Sequence, residues 1–102
     1  MRVWLKLGQD LEQHQQVEQA KLVYLHLVDQ TPEELEPHRR LANLFEAHDE
    51  RKQAIGELRQ LAYLARERRE ENYGAHYLER LLALDPQDEP SLQMLAEVWG
   101  EL

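Results

Sequence analysis

Five histidines, at positions 14, 26, 38, 48 and 76, have the widest chemical latitude in this 102-residue chain. A helix offers two imidazoles to one metal ion when they stand three or four residues apart, as in His-Glu-x-x-His. No two of these do. His14, His38 and His48 fall at expected helix ends or turns, so the histidines read as surface or capping residues. The chain has no Cys, which removes thiolate zinc sites, disulfides and cysteine nucleophiles together. Its hydroxyl nucleophiles are Thr31, which reads as a helix cap, and Ser91, in the first turn of the last expected helix. Neither lies in a Gly-x-Ser-x-Gly turn. Carboxylate pairs such as Glu33/Glu34 and Glu70/Glu71 are favourable at helix N-termini without any tuned acidity. The four glycines are scattered, so none builds a phosphate-cradling loop. The expectation is no enzyme activity, no metal and no cofactor.

Charge narrows the partners further. Lys and Arg number 12 against 20 Asp and Glu, a net of −8 that divides evenly, −4 before Lys52 and −4 from Lys52 onward. Phosphate backbones and anionic membrane surfaces require clustered cations, so nucleic-acid binding is not expected. The longest nearly apolar run, Leu22 to Val28, already contains His26, and Met1 to Gly8 is too short for a secretory apolar region. Neither membrane insertion nor a signal peptide is expected. With no Cys, the default location is cytoplasmic.

The elements that must position any site are helices. Leu occurs 19 times, whereas Val, Ile and Thr together occur 7 times, and strands need β-branched residues. Apolar residues recur at three and four, as in Trp4, Leu7, Leu11 and in Val17, Ala20, Tyr24, Leu27. Thr31-Pro32-Glu33-Glu34 reads as an N-cap, a proline at the first helical position and a capping-box glutamate, and Asp85-Pro86-Gln87-Asp88-Glu89 repeats the signal. Pro37 and Pro90 must lie in the first turn of the helices that follow. Six helices are expected at roughly 2–13, 16–29, 35–47, 50–68, 71–84 and 88–101, with neighbours antiparallel across short connections. Gly56, inside the fourth, is expected to mark a bend or a close crossing.

Trp4, Leu7, Gly8, Leu11, Ala20, Tyr24, Leu27 and Pro32 follow the order Trp-x2-Leu-Gly-x2-Tyr, Ala-x3-Phe, Pro, with Leu11 for the tyrosine and Tyr24 for the phenylalanine. Adding 34 to the positions from Leu7 to Leu27 gives Leu41, Ala42, Phe45, Ala54, Leu58 and Leu61, again large, small and large. The position matching Pro32 is then Arg66, and the next proline signal comes only at Pro86, an offset of 54 from Pro32. Around Pro86 the register returns: Gly74, Leu78 and Leu81 match Ala20, Tyr24 and Leu27, while Leu95, Ala96 and Trp99 match Leu41, Ala42 and Phe45. Residues 58–65 satisfy both phases, so one helix serves as second member of one pair and first of the next.

In these residues the chain resembles the tetratricopeptide repeat family. The resemblance implies an all-α, right-handed α-α superhelix, a solenoid of about six antiparallel helices with one helix shared between two repeat registers. The single domain 1–102 then divides into repeat one (about 1–34), repeat two (about 35–66), a slipped repeat three (about 55–86) and an unpaired terminal helix (about 88–101). The family holds peptides or partner segments in a concave groove lined by first helices. The resemblance places Arg2, Leu5, Gln9 and Glu12, then Glu36, Arg39, Asn43 and Glu46, on that groove. Arg39 with Asn43 one turn later suits a peptide backbone or carboxylate. Leu5 and Gln9 stand where the family's two-carboxylate clamp would carry Lys and Asn, so that clamp is not expected. The expected function is a non-catalytic protein-interaction module, an adaptor, scaffold or part of a larger protein. The alternative is homo-oligomeric self-association through exposed terminal helices, with Leu95, Val98 and Trp99 as the open surface. Trp4 occupies a repeat position that points between helices and is expected in the core.

Overall fold

The computed structural model describes residues 2–100, apart from the side chains of Glu71, Val98, Trp99 and Gly100. Among these residues all regular structure is helical: α1 (Arg2–Gln13), α2 (Val17–Gln30), α3 (Leu35–Ala47), α4 (Arg51–Glu67), α5 (Glu71–Leu84) and α6 (Glu89–Gly100). Pro37 and Pro90 lie in the first turns of α3 and α6, where no intrahelical N–H bond is lost.

Two kinds of connection join the helices. Three-residue links follow α1, α3 and α4, and the middle residue of each, Gln15, Asp49 or Arg69, is left-handed with φ of 60°, 60° and 58°. Their hydrogen bonds coincide. In the first, Gln16 N–H donates to the Leu11 carbonyl and Gln15 N–H to that of Glu12; Glu50 to Phe45 and Asp49 to Glu46 repeat this, as do Glu70 to Ala65 and Arg69 to Arg66. This is the Schellman closure, which satisfies the last carbonyls of a helix. Gln16, Glu50 and Glu70 then begin the next helix at once, each without a side-chain cap.

Four-residue links with proline second follow α2 and α5. Thr31 N–H bonds the Leu27 carbonyl and Glu34 N–H that of Thr31; Asp85 to Leu81 and Asp88 to Asp85 repeat the arrangement. The cap differs from the expected one. Thr31 closes α2, its hydroxyl donating to the Leu27 carbonyl at 2.9 Å, and α3 starts after Glu34. A threonine hydroxyl reaches the carbonyl four residues back as readily as an N–H ahead. Asp88 is the residue that caps α6: its carboxylate accepts from the Ser91 N–H at 3.2 Å and from the Ser91 hydroxyl.

Each helix packs mainly on its neighbours in sequence. The apolar interior is two clusters in series. Ala20, Tyr24, Leu27, Leu41, Leu44, Phe45 and Ala54 form the first; Ala42, Leu58, Leu61, Ala62, Ala65, Tyr77, Leu78, Leu81 and Met94 form the second, with Leu84 packed against both. Helix α3 sends Leu41 and Phe45 one way and Ala42 the other, which makes it the joint between clusters. The radius of gyration is 14.0 Å, with extents of 42 × 27 × 19 Å. Compact chains of similar length have a radius of about 13 Å, so the stacking leaves this one slightly elongated.

Small residues set the helix separations. A Cβ on Gly8 would lie 2.5 Å from Tyr24 Cε1, so α1 and α2 approach as closely as a bare Cα permits. The meeting of Trp4 with His26 and of Gly8 with Tyr24 makes the two helices antiparallel. Gly56 is different. It is exposed, a Cβ placed there would meet nothing within 4 Å, and α4 runs through it unbroken, so it marks no crossing. Trp4 also departs from expectation: the indole tilts against His26 at 5.1 Å and stays 46% exposed, with no further helix among the described residues covering that side of α1.

Candidate partner-binding face

Ion pairs that skip one helix sort the chain into two layers. On one side Arg40 of α3 reaches Glu12 of α1 at 3.6 Å, and Arg80 of α5 donates to Asn43 at 3.0 Å and to Glu46 at 2.7 Å on α3. On the other side Lys21 of α2 pairs with Glu50 before α4, Arg59 of α4 with Asp88, and Arg66 with Glu97 of α6. Odd helices share one face and even helices the other.

The odd face brings together most of the residues expected on a groove. Glu36 is chelated by Arg39 and also accepts from Arg40 at 3.0 Å. Burial by itself would raise the pKa of Glu36, but the two guanidiniums outweigh it and hold the carboxyl below its ordinary value. Glu12 accepts from the buried Tyr24 hydroxyl and faces Arg40. A cleft of about 280 Å³ between α1 and α3 is lined by Gln9, Glu12, Gln13 and Arg40. Asn43 and Glu46 are joined through Arg80 instead. Arg2 is exposed, and Leu5 is half-buried against the first apolar cluster.

Arg40, Arg80 and Tyr77 belong to this face and were not legible in the sequence. Arg40 stands one residue beyond a groove position. Arg80 is 37 residues from Asn43, and no helical period links them. Tyr77, buried beside Arg39 and Arg80, has its hydroxyl pKa raised, chiefly by burial. The carboxylates of Glu12, Glu36 and Glu46 and the guanidiniums of Arg39, Arg40 and Arg80 meet on a face that is therefore locally neutral in a strongly acidic chain. Such a surface offers paired donors and acceptors to a polar main chain rather than a field for one sign of charge.

The even face carries a second depression of about 320 Å³, lined by Glu18, Lys21, Leu22, Leu25, Phe45, Glu50 and Gln53. Lys21 is buried there with its ammonium between Glu50 and Glu18 and 5.7 Å from the Phe45 ring. Its pKa is raised, first by the Glu50 bond. A third hollow of about 170 Å³ lies between α4 and α6, lined by Tyr63, Arg66, Pro90, Gln93, Met94 and Glu97.

Of the residues expected for self-association, Leu95 packs partly buried against the second cluster, and the side chains of Val98 and Trp99 lie outside the described residues. Among the described residues, the large apolar side chains left exposed include Leu92 on α6 and Val3, Trp4 and Leu7 on α1. His38 departs from a surface role, being 2% exposed within α3. Among the described residues no three His, Cys, Asp or Glu side chains gather as a metal site, and no helix is long and apolar enough to cross a membrane. No family model matches the chain, and no curated protein matches it.

Proposed function

We propose that the chain is a non-catalytic, tetratricopeptide-like interaction module that lays an extended peptide or partner segment along the odd-helix face. The observation that carries this reading is the row of paired polar groups Glu12, Arg40, Glu36, Arg39, Asn43, Glu46 and Arg80 across three helices. Each can trade an internal partner for a peptide amide or carboxylate while remaining satisfied. Thr31 and Ser91 are engaged at helix ends, in the caps of α2 and α6.

The repeat assignment within this reading is drawn from the connections. Equivalent left-handed residues are 34 apart from Gln15 to Asp49 and 20 apart from Asp49 to Arg69, while Thr31 and Asp85 are 54 apart. We take α1/α2, α3/α4 and α4/α5 as pairs, with α4 in both roles and α6 unpaired. First helices then lie in the odd layer up to α3 and in the even layer from α4. The groove of α1 and α3 is closed by α5, a second helix, and this is why Arg80 faces Asn43.

The test is a displayed peptide library selected on the chain, followed by calorimetry of a selected peptide. Arg39→Ala with Asn43→Ala should weaken binding at least tenfold, more than about 1.4 kcal/mol, with thermal midpoint nearly unchanged. Full affinity in the double variant contradicts the groove assignment.

The second reading, self-association, is favoured by Val3, Trp4 and Leu7 lying open on α1. Light scattering over a dilution series decides it: a monomer throughout the micromolar range removes self-association as the main role.

A further inference from the structure

We infer that His38 and Glu57 share one proton as a latch that fastens the α2–α3 turn to α4, and that losing this proton as pH rises releases the turn. The latch does not depend on what the odd face binds. Nε2 of His38 lies 2.8 Å from the Pro32 carbonyl oxygen, which can only accept, so Nε2 carries hydrogen. Nδ1 lies 2.6 Å from Glu57 Oε2, and an ionised carboxylate also only accepts. One proton therefore sits between Nδ1 and Oε2. Removing it sets a lone pair against a carboxylate at 2.6 Å, inside a pocket where the ring is almost wholly buried.

The three anchor points belong to three different elements. Pro32 is in the turn that joins the first hairpin to the rest, His38 is in the first turns of α3, and Glu57 is midway along α4. Other charges around the ring are engaged elsewhere. Arg68 approaches the same turn but donates to the Glu33 carbonyl at 2.7 Å, and Glu36 on the same helix is held by Arg39 and Arg40. Among the described residues Glu57 is the charged side chain that bears on the imidazole. Burial opposes the charged ring, and the bonds to Glu57 and Pro32 outweigh burial, so the pKa of His38 lies above its ordinary value. A raised value in the folded state means that the latch contributes fully below the unfolded histidine pKa. The contribution is lost as pH rises through the folded one.

The experiment is a pH titration of the isotopically labelled full chain, following the side-chain nitrogens of His38 by NMR in the native and the urea-unfolded protein. Native His38 should have both nitrogens protonated below its midpoint, and that midpoint should lie above that of the unfolded chain. Protection of the Glu34 amide, corrected for intrinsic exchange, should fall at least tenfold across the native transition. Glu57→Gln should bring the His38 midpoint down to the unfolded value or below. A native His38 that titrates with or below the unfolded chain overturns the inference, whatever the stability of the variant. So does a folded Glu57→Gln protein with the His38 midpoint unmoved, or Glu34 protection that ignores the transition.

Discussion

Two glycines inside helices should respond to the same substitution with opposite signs. In a helix interior Gly→Ala is worth about 0.8–1 kcal/mol of stabilisation from backbone entropy. Gly56 is exposed with open space around it, so Gly56→Ala should realise that gain. At Gly8 the new methyl would sit 2.5 Å from Tyr24 Cε1 and 2.7 Å from Cζ, about an ångström inside normal carbon contact. The ring cannot withdraw cheaply. It is fully buried, and its hydroxyl is bonded to Glu12 on the same helix as Gly8. Overpacking of this kind costs about 1–3 kcal/mol, and more when a buried bond breaks with it. After subtracting the entropy gain, Gly8→Ala should lose about 1–2 kcal/mol, placing the two variants about 2–3 kcal/mol apart. Guanidinium unfolding followed by circular dichroism reads this directly, and thermal midpoints should separate by about 10 °C or more. Adding Tyr24→Leu to Gly8→Ala should return most of the cost of the alanine, as a coupled pair in a double-mutant cycle. A Gly8→Ala protein as stable as Gly56→Ala would refute the close approach of α1 and α2, and with it the structural meaning of the Gly8 spacing.

Further expectations concern the helix ends. Arg69→Gly removes a side chain from a left-handed position, where it costs about 1–2 kcal/mol, at the expense of a more flexible unfolded chain. The net should be a gain of about 0.5–1 kcal/mol in chemical unfolding, and a loss would contradict the left-handed backbone at Arg69. Asp88→Ala should cost about 1–2 kcal/mol through the lost cap of α6. The Ser91 bonds, then Arg59, hold the Asp88 pKa below its ordinary 3.8. Its contribution is therefore complete above that value and lost as pH falls through the depressed one. The midpoints of Asp88→Ala and the parent chain should converge in strong acid, and a gap that persists there would contradict the carboxylate's role.

Most of the helical plan was legible because its signals are local. Proline marks a break through its missing N–H, and leucine at three and four marks a buried stripe, so the described helices begin and end close to where the sequence puts them. What was illegible depended on alternatives that share one local signature. Thr31 can cap forward or backward, and only the placement of α3 shows that it reaches back to Leu27. Gln15, Asp49 and Arg69 adopt a backbone that glycine would have announced, so their common geometry could not be read from side-chain type. The odd face was half legible. Positions such as Arg39 and Asn43 come from the family resemblance, within one helix, whereas Arg80 arrives from another, two elements further along the chain. His38 reads as a solvated turn residue, since nothing in its neighbourhood of sequence reveals Glu57, 19 residues away.

The double duty proposed for α4 has a consequence for anyone who extends the chain. A rod of strictly paired units keeps one kind of helix on one side throughout, but a single member counted twice inverts the parity of everything downstream. A module grafted after α6 would inherit that inversion and turn its recognition side outward from that of α1. The spacing falls short by 14, the difference between the 34 that separate Gln15 from Asp49 and the 20 that separate Asp49 from Arg69. An inserted helical spacer of that length is what would restore a common sidedness.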